Sequence, residues 1–141
     1  RILASAKRLE LSMDQIRNIM DANGGNLEHG LVVPRARGQV RLIVRCRNNL
    51  CTCWSMAIIL NSKRFNGRID CIDWESQFVA TDGQTRTGFH RHAWDAKKGS
   101  CERSKVALRR FQPRNVEQFI VEGLTLLGVS HKVSPPGGFI I

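Results

Sequence analysis

The sequence predicts an α+β domain: an antiparallel sheet of four to five strands flanked by an N-terminal and a C-terminal helix packed on one face. Three observations predict it. Residues 40–47 alternate at a period of two, with Val40, Leu42, Val44 and Cys46 against Arg41, Ile43, Arg45 and Arg47. Two capping signals, at Ser12 and Asn115, each precede apolar residues at helical spacing. Turn residues punctuate the extended runs between them. A chain of 141 residues fits one domain with its own core. That domain is expected to span 1–134. Residues 135–141, which open Pro135-Pro136-Gly137-Gly138, read as a flexible tail.

Ser12-Met13-Asp14-Gln15 is a capping box, in which Ser12 accepts from the Gln15 N–H and Gln15 reaches back. Leu11 and Ile16 supply the hydrophobic staple, and Ile16, Ile19 and Met20 an apolar face. Asn23-Gly24-Gly25 ends this helix. Residues 2–10 read as an earlier helix or an extension of this one, and Gly24 to Gly38 as a loop.

Strands follow. Val40, Leu42, Val44 and Cys46 share one face, and Arg41, Arg45 and Arg47 the other. Trp54 to Leu60 is apolar enough to be central. Asn66-Gly67 is read as a hairpin turn leading into Arg68–Trp74. Phe78 to Thr81 is a short strand that turns at Asp82-Gly83, and Thr85 to Trp94 runs extended. Residues 100–111 fit a short helix or an extended run. The last helix has Asn115 as its cap and Gln118 three residues on. Its apolar stripe is Val116, Phe119, Ile120, Leu124 and Leu127, and Gly128 stops it.

The net charge is +10, unevenly spread: residues 24–68 sum to +7, 69–95 to −3 and 96–114 to +6. Such a field captures anionic ligands and gives salt-sensitive affinity for phosphate backbones. The arginine stripe, Arg41, Arg45 and Arg47 with Arg35 and Arg37 upstream, is a candidate backbone-binding surface, because guanidinium groups grip phosphate in a bidentate way. Lys105, Arg109 and Arg110 extend it, and Trp94 is the best placed of three tryptophans to stack on a base. Trp54 and Trp74 read as core.

Gly88 to Lys98 is the best candidate for chemistry. On a strand, His90 and His92 project from one face, with Asp95, Lys97 and Lys98 just beyond. Metal-free RNA cleavage needs a general base, a general acid and cations beside the phosphate. The two imidazoles suit the first roles and Lys97 or Lys98 the last, with Asp95 orienting a histidine. Arg91 points to the opposite face. A metal set of His90, His92 and Asp95, completed by Cys101 or His131, ranks below this, since the spacing matches no common zinc motif. No metal or other cofactor is therefore expected. Asp70 and Asp73 fall on opposite strand faces, which argues against a paired-carboxylate nuclease.

The five cysteines, an odd count with no framework spacing, read as reduced thiols of a cytoplasmic protein. Cys46, Cys51 and Cys53 are wrongly spaced for a zinc knuckle. No secretory signal and no membrane-spanning run is evident. The expected function is a small nucleic-acid-directed protein, RNA favoured over DNA, acting as a metal-independent ribonuclease of toxin type. The alternative is a non-catalytic module or inhibitor, antitoxin-like or anti-defence, that docks nucleic acid or an acidic protein surface.

Overall fold

The computed structural model describes residues 5–94 and 104–133. In chain order the elements are β1 (Lys7–Ser12), α1 (Met13–Ala22), β2 (Asn26–Leu31), β3 (Gln39–Cys46), β4 (Trp54–Asn61), β5 (Asn66–Val79), β6 (Thr85–Ala93), β7 (Lys105–Ala107), α2 (Val116–Leu126) and β8 (Val129–Lys132). Strands β2 to β7 form one six-stranded sheet in sequence order, every pair antiparallel. Strands β1 and β8 pair in parallel as a second, two-stranded sheet.

The α+β class and the antiparallel meander hold, with six strands in place of four or five. Phe78 to Thr81 is not a separate strand, because β5 runs from Asn66 through Val79. Two further segments differ from expectation. Residues 7–12 are a strand, not a helix: Lys7, Leu9 and Leu11 alternate inward, and the capping box starts α1 directly after it. Residues 26–31, expected in a loop, form β2 against β3, with Leu27 and Leu31 buried. The β4–β5 turn centres on Lys63-Arg64, three residues before Asn66-Gly67, which already belong to β5. Asn61 pairs with Asn66, and Ser62 N–H donates to the Phe65 carbonyl at 2.8 Å.

Both helices begin as read. Ser12 and Gln15 exchange the capping-box bonds, and Asn115 accepts from Gln118 N–H at 2.8 Å. Their apolar residues (Ile16 and Met20 of α1; Phe119, Ile120 and Leu124 of α2) join one core with Leu42, Val44, Met56, Ile58 and Ile72 of the sheet. Gly123 lets α2 approach: a Cβ there would lie 2.9 Å from the Met56 methyl carbon. The other sheet face carries Arg41 and Arg45 of β3, Ser55 of β4, Asp73 of β5 and His90 and His92 of β6.

That second face is partly covered by the chain itself. A bulge lies between Glu75 and Phe78, and beyond it the β5–β6 hairpin bends over. Thr81 N–H reaches the outer edge of β7 and donates to the Lys105 carbonyl at 3.0 Å. Phe78 thereby packs on the His90 ring, with centroids 4.5 Å apart.

Candidate functional site

The geometry centres on Asp73. It faces His90 directly across the β5–β6 ladder, and His92 lies opposite Cys71 on the same face. Asp73 Oδ1 is 2.7 Å from His90 Nε2 and 3.4 Å from His92 Nε2. The two rings stack with centroids 5.1 Å apart. Glu75 Oε1 stands 3.2 Å from His90 Nε2 and is held by Lys105 Nζ at 2.6 Å. Burial pushes the Asp73 carboxyl up, but its contacts with His90 and His92 outweigh this and hold it below the usual carboxylate range.

His90 and His92 do share a face, as their spacing requires. They are not an open pair: the rings are 0% and 1% exposed. Asp95, Lys97 and Lys98, expected to complete the set, lie outside the described residues, as does Cys101. The carboxylate between the histidines among the described residues is Asp73, from the neighbouring strand. His131 is on β8 of the other sheet. Lys105, expected to bind phosphate, is committed to Glu75.

Asp73 keeps 30% of its side chain exposed. It lines a depression of about 280 Å³ bounded by Ile43, Arg45, Ser55, Ile59 and Arg68. The buried histidines and this basic hollow therefore share one wall.

Arg91 points to the opposite face, where it grips the buried Asp70 with two bonds of 2.9 and 2.7 Å. Asp70 and Asp73 thus lie on opposite faces. Lys7, 1% exposed, is electrostatically coupled to this pair; burial lowers its pKa and Asp70 opposes the shift. Trp94 packs edge-on against Phe65 at 4.7 Å and is half-buried. Trp54 is buried, while half-buried Trp74 lines a cavity of about 420 Å³.

No known protein family, characterised protein or solved structure matches the chain. Among the described residues, no helix is long and apolar enough to cross a membrane.

The basic residues divide by partner. Arg41 pairs with Glu28, and Arg109 and Arg86 converge on Asp82. Arg35, Arg37, Arg45, Arg47 and Arg110 are exposed and make no ion pair among the described residues. Sequence reasoning missed Lys63 and Arg64, equally exposed and unpaired. They sit on the β4–β5 loop, while Arg35 and Arg37 sit on the β2–β3 loop. Gln39 pairs with Asn61, and a Cβ on Gly38 would lie 2.5 Å from the Asn61 carbonyl oxygen, so the two loops close the same sheet end. Residues 31–69 contain no Asp or Glu, a signal that was available in the sequence.

Proposed function

We propose that this chain is a nucleic-acid-binding module whose phosphate-gripping surface is the sheet end formed by the β2–β3 and β4–β5 loops. The carrying observation is the gathering of Arg35, Arg37, Lys63 and Arg64 at that end, all exposed and without an ion pair among the described residues, in a stretch with no carboxylate. Four cations held close without counter-charge repel one another, and a phosphate backbone relieves that repulsion while releasing condensed counterions. Arg45 and the depression beside Asp73 continue the basic surface along the sheet face. This reading favours the non-catalytic alternative over the ribonuclease. A general acid and base must reach the reacting oxygens, and two rings at 0% and 1% exposure offer a phosphodiester almost no surface.

The test is binding of labelled single-stranded RNA and duplex DNA by anisotropy across a salt series, with a parallel assay for RNA cleavage. Affinity should fall steeply with salt. Replacing Arg35, Arg37, Lys63 and Arg64 together by alanine should flatten the slope of log K against log salt by roughly 3 for a single strand. Binding indifferent to salt, or unchanged in the fourfold variant, overturns the assignment of this surface. RNA cleavage abolished by His90→Ala or His92→Ala overturns the non-catalytic reading.

A further inference from the structure

We propose that Asp73, His90 and His92 hold a divalent transition-metal ion of the zinc class, cross-linking β5 to β6. This stands independently of the nucleic-acid reading. The donor set comes first. Two imidazole nitrogens and one carboxylate oxygen suit borderline ions such as Zn²⁺ or Co²⁺ and not Mg²⁺ or Ca²⁺, which take oxygen ligands. The three side chains offer ligand atoms all within 4.8 Å of one another.

Spacing follows. Ligands ~2.0–2.2 Å from one ion, at tetrahedral or octahedral angles, lie roughly 2.9–3.5 Å apart. The Asp73 Oδ1 distances of 2.7 and 3.4 Å to the two Nε2 atoms come close to that range. Small side-chain rotations suffice to admit an ion.

Orientation separates a metal site from a hydrogen-bonded triad. Asp73 Oδ1 and His90 Nε2 approach to 2.7 Å, yet neither makes an aligned hydrogen bond. His90 Nδ1 also lacks one. The bond His92 Nε2 makes to Asp73 Oδ2 is 3.5 Å long. Buried polar atoms are ordinarily satisfied. Atoms that crowd together while aiming past one another behave as ligands of a common centre.

The surroundings fit as well. Phe78 and the bent hairpin exclude solvent from the imidazoles. Half-buried Asp73 lines the hollow bounded by Arg45 and Arg68, which gives an entry path to the site. Lys105 occupies Glu75, so that carboxylate supports the site from outside the ligand set.

The test uses the full chain, stripped with chelator and titrated with Zn²⁺ and, separately, Co²⁺ and Mg²⁺. One Zn²⁺ or Co²⁺ should bind per chain, with no competition from Mg²⁺. On Zn²⁺ addition the imidazole ¹⁵N resonances of His90 and His92 should move, and those of His29 and His131 should not. His90→Gln, His92→Gln and Asp73→Asn should each weaken binding by ~100-fold or more, the upper end of what loss of an outer partner costs. Three results overturn the site: no Zn²⁺ uptake at micromolar metal, uptake that leaves both resonances unmoved, or affinity unchanged in the variants. The resonance measurement uses the native chain, so a variant that fails to fold leaves the question decidable.

Discussion

Arg35 offers a test in which stability and binding move in opposite directions. Its φ is +63°, the only left-handed value at a non-glycine among the described residues. It follows Pro34, and Ala36 N–H donates to the Val33 carbonyl at 3.2 Å. Pro34 and Arg35 thus hold the two central positions of a turn whose third residue ordinarily is glycine. A Cβ in the left-handed region costs about 1–2 kcal/mol. Glycine removes that strain but loosens the unfolded chain by about 0.4–1 kcal/mol. The net expectation for Arg35→Gly is a gain of about 0.5–1 kcal/mol, a rise in Tm of roughly 1–3 °C for a chain of this size. Arg35 is exposed and makes no ion pair among the described residues, so no attraction there is lost from the fold. Binding should weaken, with the salt slope shallower by about 0.7 for a single strand. Arg35→Ala separates the two effects: it keeps the strain and removes the charge, so Tm stays put while the slope falls. Thermal unfolding and anisotropy on the same preparations decide it. Destabilisation by Arg35→Gly would refute the strained turn, and an unchanged salt slope would refute the phosphate contact.

Neighbouring glycines should differ sharply. A Cβ at Gly25 would lie 2.2 Å from the Cys46 carbonyl oxygen, against backbone that cannot yield, so Gly25→Ala should cost about 3 kcal/mol or more. Gly24→Ala meets nothing within 4 Å and should cost only the ~1–2 kcal/mol of its positive φ; denaturant midpoints distinguish them. Arg91→Met strands the buried Asp70 and should cost ~3–5 kcal/mol, much of it recovered by adding Asp70→Leu in a double-mutant cycle. Burial pushes the Cys46 thiol from 9.0 up to about 12. The folded state therefore keeps a proton that the unfolded chain releases, and this contribution is present below pH 9 and lost as pH rises toward 12. Each pH unit in that window should remove up to about 1.4 kcal/mol, and Cys46→Ala should flatten this limb of the stability curve.

What could be read in the sequence depended on whether a signal was local. Ser12 with Gln15 and Asn115 with Gln118 are bonds between residues three apart, and both caps form as read. The alternation from Val40 to Cys46 likewise fixes which face is buried. β1 escaped because its inward positions are Lys7, Leu9 and Leu11, and a lysine on the buried side breaks the apolar period. β2 escaped because Asn26, His29 and Gly30 dilute a strand with only two buried leucines. The site itself turns on register, which no local pattern carries. Val79 pairs with Thr85 and Phe78 with Arg86; continuing that count would set His90 opposite Trp74. The bulge between Glu75 and Phe78 shifts the ladder by one residue, and a one-residue shift exchanges the faces. His90 consequently meets Asp73 and not Trp74, and Phe78 is turned onto the His90 imidazole. The sequence offered Asp95 as the nearest carboxylate along the chain, whereas the bulge delivers Asp73 from across the ladder. Deleting Gln77 removes the extra residue yet leaves Asp73 opposite His90 and Phe78 opposite Arg86, so Zn²⁺ uptake should persist; its loss would show that the shape of the bulge, and not the register alone, builds the site.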